Sequence, residues 1–154
     1  MTKMLVDGTT LLHYAASCNH KSMVEEFLER GFPGDISDKQ DSIPLHWSAA
    51  AGHSDMVELL IRKGSDVNRR DSSGDGPLHL ASLHGRDDAV SLLLYLGANV
   101  NIQNAAGKTP LYLACEGNHS AVAAQLVKHG ADVLIKDKES DGKKPLDFAA
   151  CSKL

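Results

Sequence analysis

The sequence predicts an all-α solenoid of stacked helix–turn–helix units joined by β-hairpin-like loops. The strings TLLHYAA (10–16), IPLHWSA (43–49), GPLHLAS (76–82) and TPLYLAC (109–115) begin 33 residues apart. Glycines keep the same step at Gly31, Gly64, Gly97 and Gly130, as do Asp38, Asp71, Asn104 and Asp137. A unit of that length cannot bury its own apolar face, so successive units must stack into a continuous core. A fifth copy, KPLDFAA (144–150), arrives two residues late.

Each element of the unit has a local cause. Thr10 and Thr109 stand where a helix N-cap is needed, and Pro44, Pro77 and Pro110 occupy the first helical position. The first helix carries small-residue pairs, Ala15-Ala16, Ser48-Ala49, Ala81-Ser82 and Ala114-Cys115, which let neighbouring backbones approach closely. It should stop at Asn19, Gly52, Gly85 and Asn118, the two residue types that tolerate a left-handed backbone. The second helix opens on Asp55, or on Asp87 and Asp88, which suit the positive end of its dipole. Its apolar stripe runs through Met56, Val57, Leu60 and Ile61, then through Val90, Leu93 and Leu94 in the next unit. Between units, Asp71-Ser72-Ser73-Gly74 reads as a type I turn. Ile43 and Gly76 replace the capping threonine, so those two helix starts should be weaker.

Composition narrows the class. The chain has 154 residues, 42% of them hydrophobic and 23% charged, the profile of one globular domain. A formal charge of −4 with no basic cluster argues against nucleic acid as a partner. The longest apolar run, Leu92–Leu96, cannot span a bilayer, and the first dozen residues hold no signal-peptide core. Cys18, Cys115 and Cys151 are odd in number and lack CxxC spacing, so neither zinc nor a disulfide framework is expected. These features predict a cytoplasmic or nuclear monomer that uses no membrane.

The segment DSIPLHWSAAAGHSDMVELLIRKGSDVN (41–68) resembles an ankyrin repeat, with its pattern DxxGxTPLHxAAxxGHxxxVxxLLxxGADVN. The likeness covers the whole chain as a single domain, 1–154. The repeats run approximately over 7–36, 40–69, 73–102 and 106–136, with a partial fifth at 141–154. The resemblance implies that His13, His46 and His79 hydrogen-bond between loops of adjacent repeats. Tyr112 and Asp147 replace that histidine, so the network should break there. It also implies a partner on the loop tips and inner helix faces. By register this selects Gln40, Ser42, Arg69, Arg70, Ser73, Asp75, Leu83, His84, Lys108 and Glu116. Arg69 stands where other units have Ile36, Ile102 and Ile135, which makes it either a solvated exception or an anchor. Trp47, aligned with Tyr14, Leu80, Leu113 and Phe148, reads as inter-repeat core, with partner binding as the alternative. Asn68 and Asn101 occupy positions that asparaginyl hydroxylases modify in some ankyrin proteins, although bracing of the turn is the simpler role.

No constellation for catalysis is present. His46 recurs as His13 and His79, whereas a catalytic base should be singular, and no nucleophile elbow, phosphate loop or HExxH occurs. Asp71-Ser72-Ser73-Gly74-Asp75-Gly76 begins like a calcium loop, but the twelfth position is Ser82 and not glutamate. Cys115, in a small-residue pair, reads as inert packing. No cofactor or metal is expected. The expected function is a non-enzymatic protein–protein interaction module that binds a protein or peptide, as an adaptor or inhibitor. The alternative is the recognition domain of a larger enzyme such as a kinase or ubiquitin ligase. The tripeptide Ser152-Lys153-Leu154 would be a peroxisomal address if it is the native C-terminus.

Overall fold

A computed structural model describes residues 9–139 and 141–148. It contains four helix pairs: α1 (Leu11–Ser17) with α2 (Lys21–Glu29), α3 (Pro44–Ala51) with α4 (Ser54–Arg62), α5 (Pro77–Leu83) with α6 (Asp87–Tyr95), and α7 (Pro110–Glu116) with α8 (Ser120–Lys128). A single 3-10 turn, Pro145–Asp147, follows. The helices α1, α3, α5 and α7 pack in an inner row, each against the next, while α4, α6 and α8 pack in an outer row. This is the expected solenoid, with no strand among the described residues.

The apolar stripes meet between the rows. Leu45, Met56, Val57, Leu60, Leu78, Val90, Leu93, Leu111, Val122 and Leu126 are all buried, and the small pairs Ala15-Ala16 and Ala114-Cys115 pack within the same core. Inner helices end as the sequence implies, because Asn19 and Asn118 adopt φ of 59° and 60° and Gly52 and Gly85 adopt 82° and 66°.

The loops are stacked hairpins. The Asp71 N–H donates to the Asp75 carbonyl at 2.9 Å, and the same closure recurs from Asp38 to Ser42 and from Asn104 to Lys108. One further bond ties each tip to the one before it: Ser72 N–H to Gln40 O, Ala105 N–H to Ser73 O, and Lys138 N–H to Ala106 O. The last hairpin closes from Asp137 to Lys143, and that longer loop absorbs the two-residue delay of the fifth copy. Of the fifth unit, the described residues are 141–148, so Ser152-Lys153-Leu154 lies outside them. Cys115 is disulfide-bonded, which corrects its reading as an inert thiol.

Candidate functional site

Three rows of polar side chains join the repeats and set the shape of the inner surface. In the first row, His13, His46 and His79 are completely buried. Each Nδ1 accepts the backbone N–H of its own helix cap, from Thr10 at 3.2 Å, Ile43 at 3.2 Å and Gly76 at 3.0 Å. Since an amide N–H can only donate, the ring proton sits on Nε2. From there it is donated to the carbonyl of the following loop: Ser42 at 2.9 Å, Asp75 at 3.1 Å and Lys108 at 3.1 Å. Burial pushes the His46 and His79 imidazoles below the ordinary histidine value, against the opposing pull of Asp71 and Asp75. These rings therefore remain neutral braces. They satisfy the N–H of Ile43 and Gly76, although neither helix start has the hydroxyl cap that Thr109 gives the Tyr112 N–H.

The row does not break at the fourth repeat, contrary to expectation. Tyr112 is buried, its N–H is capped by the Thr109 hydroxyl at 3.2 Å, and its phenol donates to Asp137 Oδ2 at 2.9 Å. A longer side chain reaches a carboxylate where histidine reaches a carbonyl. Asp147 takes over only the capping half, accepting the Lys144 N–H at 2.7 Å.

The second row was not foreseen. His53 Nε2 donates to the Ser17 carbonyl at 2.9 Å, and His119 Nε2 to the Leu83 carbonyl at 2.8 Å. Arg86 takes the intervening position, its Nε donating to Ala50 O at 2.9 Å. The third row is Asn68 and Asn101. Their side-chain oxygens accept the N–H of Asn99 at 2.9 Å and of Asp132 at 2.8 Å. Their amide nitrogens donate to Gly97 O at 3.4 Å and Gly130 O at 3.3 Å. Both asparagines thus brace adjacent repeats.

Between the first and second rows, at the junction of the second and third repeats, the inner surface forms a shallow depression of about 560 Å³. Its floor is Trp47, Leu80, Ala50 and Ala51; Asp38 and Asp71 lie on the hairpin side, His84 and Arg86 beyond the helix ends. Trp47 is only half-buried, which corrects its reading as core. Its indole N–H donates to Asp38 Oδ2 at 3.2 Å, and its ring stands edge-on to Tyr14 at 5.6 Å.

Of the residues selected by register, Gln40, Ser42, Ser73 and His84 line this depression. The others do not. Arg70 is held by the array itself, donating to Gly74 O at 3.2 Å and to the Gln103 carbonyl of the next repeat. Asp75 accepts from Asn104 Nδ2 at 2.8 Å. Lys108 pairs with Glu116 at 3.2 Å and lies over the Tyr112 ring. Arg69 is exposed, and Leu83 is 36% exposed outside the depression. Sequence reasoning missed Asp71, Leu80 and Arg86 as lining residues. The break at Arg86 in the His20, His53, His119 series was the available signal.

Among the described residues no cluster of metal-ligating side chains occurs, and no helix is long and apolar enough to cross a membrane. The sequence matches the family described as ankyrin repeats (3 copies) over residues 1–71 and 78–154. No curated protein matches the chain at a significant level.

Proposed function

The chain belongs to the ankyrin-repeat family, and we propose that it is a non-enzymatic interaction module that binds a protein or peptide segment on its concave face. Ankyrin repeats are generally protein–protein interaction modules and typically not enzymes. The observation that carries the placement is the depression around Trp47. It combines a half-buried tryptophan, exposed polar tips and an apolar floor, the composition favoured at protein interfaces. The buried histidines support the non-enzymatic reading, since each has both ring nitrogens committed to backbone. As an adaptor or inhibitor, the module acts by covering a surface of its partner. We propose that it resides in the cytoplasm or nucleus; diffuse fluorescence of a reporter fused to residues 145–154 is the expected outcome, and puncta would overturn it in favour of the peroxisome.

A photo-crosslinking amino acid placed at His84, or at Tyr95 on the outer row, tests the binding face in native cells. Tyr95 is 85% exposed, so it is an equally accessible control. Adducts through position 84 and not through 95 are expected. Adducts through 95 alone overturn the proposal.

A further inference from the structure

Two charged groups on opposite rims of the Trp47 depression are left without neutralising partners. Asp71 uses one carboxylate oxygen, Oδ1, to accept the N–H groups of Ser73 and Asp75 at 2.9 Å each. Its register equivalent Asp38 gives Oδ2 to the Trp47 indole, but Leu80 stands at the position matching Trp47 and has nothing to donate. Asp71 Oδ2 therefore has no hydrogen-bond partner among the described residues. On the other rim, Arg86 uses only Nε, towards Ala50 O at 2.9 Å, which leaves its terminal nitrogens unpaired among the described residues.

Asp71 lies in the hairpin before α5 and Arg86 in the bend after it, and both line the depression. Between them lies the apolar floor of Trp47, Ala50, Ala51 and Leu80. An extended chain advances about 3.3 Å per residue and turns alternate side chains to one face. Three alternate side chains on one face of such a segment therefore follow the order of chemistries along the depression.

Resting on the concave-face reading above, we infer that the depression takes an extended peptide segment with a cation, an apolar residue and an acid at alternate positions. The cation meets Asp71 Oδ2, the apolar side chain lies on Trp47 and Leu80, and the acid meets the free end of Arg86. A segment of either chain direction satisfies this pattern, whereas one of uniform charge meets repulsion at one rim.

Two substitutions borrowed from other repeats isolate the charges while keeping the fold. Asp71→Asn copies Asn104, whose Oδ1 braces its own turn by accepting the Lys108 N–H at 2.9 Å. Arg86→His copies His53 and His119, which make the same bond to the preceding repeat. Trp47 is the chain's only tryptophan, so its fluorescence reports occupancy of the depression alone. The probes are five synthetic peptide sets built on a central leucine: Lys-x-Leu-x-Glu, its reverse, all-lysine, all-glutamate and uncharged. At pH 7.5 a mixed-charge set should bind tightest. Asp71→Asn should abolish the advantage of the lysine, and Arg86→His that of the glutamate, each by about tenfold. A uniformly charged set binding tightest, an unchanged ranking in both variants, or no indole response to any set overturns the inference. If crosslinking through His84 succeeds in those cases, the concave-face reading stands and only the charge pattern falls.

Discussion

At the scale of single residues, the polar interior of this protein is made of side chains that connect backbone to backbone. His79 is fully buried, accepts the Gly76 N–H and donates to the Lys108 carbonyl. Removing it leaves the Gly76 N–H without a partner, while the Lys108 carbonyl keeps the Asn104 N–H. His79→Leu should therefore lower unfolding free energy by about 1–3 kcal/mol, read from urea denaturation. Tyr112→Phe loses the phenol's bond to Asp137 and should cost about 1–2 kcal/mol. The same burial sets a pH dependence. The folded His46 and His79 lie below the ordinary value of 6.5, so the unfolded chain takes up protons first as pH falls. Their contribution is intact above about pH 6.5 and is lost as pH drops through their lowered folded values. The urea midpoint should fall between pH 7 and 5, and His46→Gln with His79→Gln should flatten that fall. An equally steep fall in the double variant refutes this assignment. The histidine row was legible in the sequence because three copies share one register. Its continuation through Tyr112 was not, since the bond to Asp137 depends on the reach of a phenol that spacing does not reveal.

At the scale of elements, the turns and helix ends follow from residue type, but their tolerance depends on what a neighbouring repeat places beside them. Gly64 has φ of 105°, and a methyl group added there would meet nothing within 4 Å. Gly74 has φ of 77°, and the same methyl would stand 2.7 Å from the Ala105 backbone nitrogen. Gly64→Ala should lose about 1 kcal/mol through the left-handed backbone alone. Gly74→Ala adds a backbone clash with the next hairpin and should lose measurably more in the same denaturation assay. Equal losses would mean that the hairpin stack yields without strain. Helix starts and stops were legible because Pro44, Pro77, Asn19 and Gly52 carry their own conformational preferences. The depression was less so. Register placed Gln40, Ser42, Ser73 and His84 on it, but assigned Trp47 to the core and passed over Arg86. Alignment records which residues occupy equivalent sites; it does not record that Tyr14, Trp47 and Leu80 stay partly open while Leu113 is buried.

At the scale of the whole molecule, each inner helix packs against its immediate neighbours, α1 on α3, α3 on α5 and α5 on α7, so stability is carried from repeat to repeat. Leu78, on α5, is 2% exposed and sits between the second and fourth repeats. Leu78→Ala opens a cavity at that junction and should lower unfolding free energy by about 2–5 kcal/mol. The loss should spread by adjacency. Amide hydrogen exchange should accelerate most in α5 and next in α3 and α7, and least in α1, which reaches α5 only through α3. A compact globule with one shared core would instead accelerate uniformly, so an even change across all four repeats contradicts a chain of nearest-neighbour contacts. This bears on binding as well, since the Trp47 depression is built from two repeats, with Trp47 on α3 and Leu80 on α5. A partner that spans the two should slow exchange on both sides of the junction, and Leu78→Ala, which touches no lining residue's charge, should weaken that partner by loosening the junction beneath it.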